Sequence, residues 1–472
     1  MKKILGLVLM VGCLAMPSHA SDNRSAPNVF SSGSTISSSQ MNENFNFLAS
    51  KIRAKDVNCN NGEKITDAIN EGYNSLTIYG TCDGAIMVYM FDPAPFDVSY
   101  SQLSNKPISH LIIKGGDPNR AAKIVNTSGG FTSMVSSNGF LQLYNLTFND
   151  ELTANDGSLI DTTKITYEVT TTGQDNKISA YGNSQLRIHE STINAKVDVS
   201  ESSLGIIKET TINYPNDRAL SVQEVSHVEL EDNSIVNGYI SVYNKSFLDA
   251  SDSTINCNAV NSCMYINNSE IEFDTITINA SSVQYSVLDM SFGSKGNLRD
   301  TNITADSDTA GINLRVNSNI ELNNSSISTN NGTGMFVNNG SYFKGNDSSI
   351  TRINGTPTVD MGTFSIFKLG GSSSSIADIY CYDTNVKVDI YDEVTSAVNK
   401  NTSCDGNASP SYRKIYSGNC ETNGYNNLIS THECAQASGS LVQYNEINST
   451  IPNGCVGLDG GWSFRVSTYS YT

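Results

Sequence analysis

Downstream of residue 183 the chain repeats one short phrase of apolar and polar residues. It reads "NSQLRIHESTIN" at 183–194, "SEIEFDTITIN" at 269–279, "VNSNIELNNSSIS" at 316–328 and "GSYFKGNDSSIT" at 340–351. The last apolar residue of each copy falls at Ile193, Ile212, Ile235, Ile255, Ile278, Ile303, Ile327 and Ile350, with gaps of 19 to 25 residues. Seven and five positions earlier stand pairs such as Leu186 and Ile188, Val228 and Leu230, Ile271 and Phe273, and Ile320 and Leu322. Gly296 and Gly345 break the pattern, and the second copy fits loosely, with Leu204 one place early. Period-two alternation is the mark of a strand with one buried side. A phrase this short cannot bury that side alone, but stacked copies can, with neighbouring strands ~4.8 Å apart. The spacing therefore predicts an all-β chain wound as a parallel β-helix, with coils of about 23 residues.

A second regularity supports stacking. Nine residues before each anchor the chain places Ser184, Ser203, Ser226, Ser246, Ser269, Ser294, Ser318 and Ser341. Hydroxyls filed at a corner satisfy turn amides and one another. A propeller would show longer blades with Trp or Gly markers, and this chain has a single Trp.

Two stretches, "CNNGEKITDAINEGYNSLTIYGTC" (59–82) and "HLIIKGGDPNRAAKIV" (110–125), resemble the pectin-lyase-like right-handed parallel β-helix proteins. The first is similar to that group's N-terminal cap, a short amphipathic helix leading into the first strand, and the second to an early coil. The resemblance spans roughly residues 57–455 and implies architecture, not activity. Relatives of the polygalacturonase kind carry a Gly-His-Gly, which this chain lacks. Lyases of this architecture use an Arg or Lys base, often beside carboxylate-held Ca²⁺. The basic residues of the coils, among them Lys208, Arg299 and Arg315, form no single site in the repeat frame and are expected to be solvated surface charge.

The frame also pairs cysteines. Cys59 and Cys82, and Cys381 and Cys404, are each 23 residues apart, one coil, which puts their Cα atoms within disulfide reach. Cys257 and Cys263 are expected to close a loop; among Cys420, Cys434 and Cys455 the sequence does not choose, and Cys434–Cys455, 21 apart, is the favoured pair. Such cysteine use suits an oxidising compartment. The N-terminal run "MKKILGLVLMVGCLAMPSHA" has a basic start, an apolar centre and a small-residue end, the pattern of a secretory signal cut after Ala20. Export is expected, with the periplasm first and the cell surface or medium as alternatives.

The parts are then a signal at 1–20 and a leader with a short amphipathic helix (Met41, Phe45, Leu48, Ile52) at 21–56. A cap and first coil at 57–82 and an aromatic insertion at 83–107 follow. The β-helix occupies 108–404, and disulfide-containing C-terminal coils and cap fill 405–472. The formal charge of −18 sets the chain against nucleic acid and anionic lipid. No transmembrane segment is expected.

Two groups are candidates for binding. Tyr89, Phe91, Phe96 and Tyr100 crowd the insertion, where they either pack on the flank or form a wall for a sugar or protein partner. Three residues before the anchors come Glu190, Glu209, Asp232 and Asp252. Filed one rung apart, they are either turn residues bonding local amides or ligands for Ca²⁺, the one cofactor the pattern admits. With no catalytic residue recognisable, the leading expectation is a non-enzymatic scaffold of the bacterial envelope, associating with itself or another envelope protein. A polysaccharide lyase or glycoside hydrolase and a glycan-binding adhesin are the alternatives.

Overall fold

The computed structural model describes Ser37 and residues 52–83, 86–89, 108–125, 133–136, 138–149, 151–168 and 177–405. The last stretch lacks 259–261, 307–309, 331, 356, 384, 392–393 and 395–397; residues 454–458 and 461–465 complete the set. The chain divides into two compact units between Arg53 and Ala54, and the second carries the repeats.

The repeats form a parallel β-solenoid of about 13 turns, with coils of about 23 residues. Each full coil lays one strand on each of three faces. Face one is a 15-stranded parallel sheet running from Ala54–Asn58 to Lys387–Ile390. Faces two and three begin with Thr81–Asp83 and Ile86–Tyr89. They merge into one 25-stranded sheet because Thr211–Val222 and Ile235–Tyr243 run around the corner between them.

The inward files stack rung on rung. Leu186, Gly205, Val228, Leu248, Ile271, Gly296, Ile320 and Phe343 are successive partners on face one. The glycines are part of the packing. A Cβ on Gly296 would lie 3.1 Å from the side chains of Ile320 and Met290, and one on Gly345 3.0 Å from the Phe343 ring. Larger neighbours above, below or across fill those places. Each fully buried Ile or Leu of such a file contributes about 1.5–3 kcal/mol of transfer free energy, so the core runs unbroken through the coils.

One anchor moves. Val236, not Ile235, stacks between Ile212 and Ile255 and is buried, while Ile235 is half-buried. The corner before it holds an extra residue, with both Asp232 and Asn233 at positive φ. A loop residue inserted at a turn leaves both flanking strands in register, and the sequence spacing alone does not reveal it.

The serine file is a hydrogen-bond ladder. Every one of the eight is buried. The N–H of Ser184 donates to Ser203 Oγ at 3.1 Å, that of Ser203 to Ser226 Oγ at 3.1 Å, and that of Ser226 to Ser246 Oγ at 3.2 Å. The hydroxyls thus accept from corner amides. A second file, unforeseen in the sequence, does the same at the next corner: Ser191 N–H to Thr210 Oγ1 at 3.3 Å, and Ser325 N–H to Ser348 Oγ at 3.2 Å.

Near the first coils, the short helix Ile65–Asn70 buries Ile65, Ala68 and Ile69. It follows the strand Ala54–Asn58, which lies partly in the stretch assigned to the leader, so it does not precede the first strand as the resemblance implied. Disulfides join Cys59 to Cys82, Cys257 to Cys263 and Cys381 to Cys404, with Cα separations of 5.2, 5.4 and 5.1 Å. Gly461–Arg465 pairs antiparallel with Gly454–Leu458 as a hairpin and adds no rung to the two parallel sheets. Met41, Phe45, Leu48, Cys420 and Cys434 lie outside the described residues, and Cys455 is described only as a residue of that hairpin.

Candidate functional site

The third face carries a groove of about 520 Å³, lined by Tyr239, Tyr243, Tyr265 and Tyr285 together with Ser262, Asp289, Asn313 and Arg315. Its position follows from the coils. Tyr239 and Tyr243 project from Ile235–Tyr243, Tyr265 from the next strand on that face, and Asp289 and Asn313 from the two after it. Tyr265, Asp289 and Asn313 are direct rung partners, one file of outward side chains. Tyr285 stands at the rim, 65% exposed, just before the strand that carries Asp289.

Tyr243 and Tyr265 face each other with ring centroids 5.4 Å apart and planes tilted by 49°. Burial raises the Tyr239 and Tyr243 phenols above their usual value, and nearby Arg218 offsets part of that. Both therefore stay neutral donors at any physiological pH. At the floor Arg315 forks onto Asp289, Nε to Oδ1 at 3.1 Å and Nη2 to Oδ2 at 2.6 Å. Burial still holds the Asp289 carboxyl above its ordinary value; the fork offsets only part of the cost of removing it from water. A bidentate pair of this kind is rigid and directional. The groove thus combines apolar ring faces with a few fixed donors and acceptors, the usual make-up of a small-ligand site.

Arg315 is partly exposed, as the sequence suggested, but its guanidinium is held on Asp289 and is not a free charge. The other basic residues named with it do pair across coils: Lys208 with Glu231, and Arg299 with Asp274 at 3.6 Å.

The carboxylate column lies at the corners of the coils. Glu190, Glu209, Asp232 and Asp252 have φ of 47°, 48°, 56° and 46° and are exposed. They sit where each coil turns from face one to face two in the left-handed region, which Asn and Asp tolerate best. Corner amides tie each turn to the next coil: Glu190 N–H donates to the Lys208 carbonyl at 3.1 Å, Asp252 N–H to the Asp274 carbonyl at 3.0 Å, and beside Asp232 it is Asn233 N–H that donates, to the Asp252 carbonyl at 2.8 Å. Lys164 pairs with Glu190 at 3.2 Å and Lys208 lies 3.8 Å from Asp232. Among the described residues no group of three or more His, Cys, Asp or Glu is placed to hold a metal ion. Of the aromatic insertion, Phe91, Phe96 and Tyr100 lie outside the described residues, and Tyr89 is described only as the end of a face-three strand.

Sequence reasoning missed the groove because its file lies after the anchor, where coil length varies. Five residues separate Val236 from Ser241, and eleven separate Ile278 from Asp289, yet Ser241 and Asp289 belong to one file. The available signal was the concentration of tyrosines at 239, 243, 265 and 285.

Among the described residues no helix is long and apolar enough to cross a membrane. No protein family, no curated protein and no solved structure matches the chain.

Proposed function

We propose that this chain is an exported, non-catalytic β-solenoid that binds a glycan in the tyrosine groove of its third face. It would be a divergent relative of the pectin-lyase-like β-helix group, acting in the envelope or at the surface of the cell. The observation that carries this reading is the groove itself: four tyrosines around a rigid Arg315–Asp289 fork. Tyrosine offers a flat apolar face for the C–H side of a sugar ring and a hydroxyl for its rim, and immobilising it costs little entropy.

Binding is favoured over cleavage by what lines the groove. Glycoside hydrolysis uses two carboxyl groups about 5–9.5 Å apart, and among the described lining residues Asp289 is the one carboxylate. An elimination base needs a lowered pKa, whereas Arg315 is committed to Asp289. The three disulfides and the N-terminal signal pattern support an exported protein.

The test is a glycan array followed by calorimetry on the best ligand, with Tyr243→Ala and Tyr265→Ala as variants. We expect binding that falls about tenfold or more in each variant, a loss of ~1.4 kcal/mol, with no new reducing or unsaturated ends in the incubated sugar. Absence of any glycan binding, binding indifferent to both variants, or sugar cleavage would overturn the reading.

A further inference from the structure

We infer that the groove is one end of a longer strip that takes a neutral, unbranched polysaccharide lengthwise, with a second subsite at Asp360, Tyr380 and Tyr382. This rests on the glycan reading above and adds the shape, charge and direction of the ligand.

The outward file that begins the groove continues along the face in strict register. Its successive residues are Tyr265, Asp289, Asn313, Phe336, Asp360 and Tyr380. Aromatic rings stand at the first, fourth and sixth of these rungs, with carboxyl and amide groups between them. Before Tyr265 the same file is short and polar, with Ser179, Asp198, Ser221 and Ser241. The change of character at Tyr265 marks where the strip starts.

At its far end Tyr380 and Tyr382 meet edge to face with ring centroids 4.8 Å apart, and they are 42% and 66% exposed. Beside them Asp360 is only 4% exposed. Its Oδ2 accepts from Thr333 Oγ1 at 3.3 Å, and the Tyr382 hydroxyl lies near the same carboxyl. The remaining oxygen, Oδ1, is buried and has no hydrogen-bond partner. An oxygen left in that state is costly, and it fixes the carboxyl as a polar floor beneath the two exposed rings. The second site thus repeats the first in kind: paired tyrosines over a largely buried aspartate.

Asp289 and Asp360 are three rungs apart along the axis, ~14 Å at the spacing of stacked strands. A ligand bridging them must be a chain rather than a single sugar, and it must run across the strands. One pyranose ring with its linkage is about as long as one rung, so successive rings meet successive side chains. The strip contains two aspartates, and the net charge of −18 repels polyanions. Those facts disfavour a polyanion, and with Asp289 forked by Arg315 and Asp360 buried the strip offers no exposed carboxylate to a polycation, which leaves a neutral chain.

The experiment is calorimetry with size series of neutral oligosaccharides (cello-, xylo- and chito-oligosaccharides from dimer to octamer) on wild type and on a Tyr380→Ala/Tyr382→Ala variant, with circular dichroism to establish that the variant folds. A Tyr382→Phe variant, which keeps the ring, serves as a second reading. We expect affinity to climb with length, level off once the oligomer spans both subsites, and fall about tenfold for the octamer in the double Ala variant while the dimer is unaffected. Tyr382→Phe should retain most of the octamer affinity. Length-independent binding, or an octamer indifferent to the double variant, overturns the strip and leaves the groove standing. No binding at any length overturns both.

Discussion

Two buried polar groups show how differently one side chain can be treated in this fold. Ser226 Oγ accepts the Ser203 N–H at 3.1 Å, and the Ser226 N–H is in turn satisfied by Ser246, so nothing at that corner is orphaned. Asp360 is orphaned at Oδ1, and burial pushes its carboxyl from 3.8 up to about 6. The sign of its effect follows from linkage. A carboxyl that holds its proton more tightly folded than unfolded contributes stability fully below about pH 3.8, and that contribution disappears as pH rises through about 6. Asp360→Asn, which imitates the protonated acid, should nearly match wild type in urea unfolding at pH 4 and exceed it by about 3 kcal/mol at pH 8. A difference that does not change with pH would show that Asp360 does not titrate in this way.

At the scale of strands and corners, the turn between faces one and two is built by backbone, with side chains pointing to water. Glu190, Glu209, Asp232 and Asp252 supply left-handed φ values, and the amides of Glu190, Glu209 and Asp252, with that of Asn233 beside Asp232, bond the next coil. Removing divalent cations with a chelator should therefore leave the thermal midpoint where it was; a fall of several degrees would mean that Ca²⁺ bridges the column after all. This is also the scale at which the sequence was most legible. Upstream of each anchor the offsets scarcely vary, so Leu186, Ile188 and Ser184 could be placed in inward and corner files from spacing alone, and Cys381 and Cys404 could be paired. Downstream the link to face three is five residues in one coil and eleven in another, and Asp289, Arg315 and Asp360 scatter in sequence although two of them share one file. The extra residue at Asn233 hid in the same way, because a turn absorbs it without disturbing either strand. The second file of hydroxyls, with Thr210 among its serines, lacked the uniformity that made the first conspicuous.

A solenoid is held by nearest-neighbour contacts, so its stability is close to a sum over adjacent coils, and opening should start where a coil has one neighbour instead of two. Two disulfides sit at those places. Cys59–Cys82 ties the opening strand and helix segment to the first full coil, and Cys381–Cys404 ties the last described coils. Each closes a 23-residue separation, which in the chain-entropy account contributes about 3 kcal/mol. Cys257–Cys263 closes a 6-residue separation inside one coil and does not bridge rungs. Reduction should therefore loosen the molecule from its ends. In hydrogen exchange followed by mass spectrometry, reduced protein should gain deuterium faster in 54–83 and 378–405, while 184–255 and 294–346, flanked by packed coils on both sides, exchange as in the oxidised protein. Faster exchange spread evenly over every coil would mean that the rungs open together and that the bonds staple the whole rod rather than its ends. A cooperative rod would then have to be held by something longer in range than the rung-to-rung ladders of Ser203, Ser226 and Ser246.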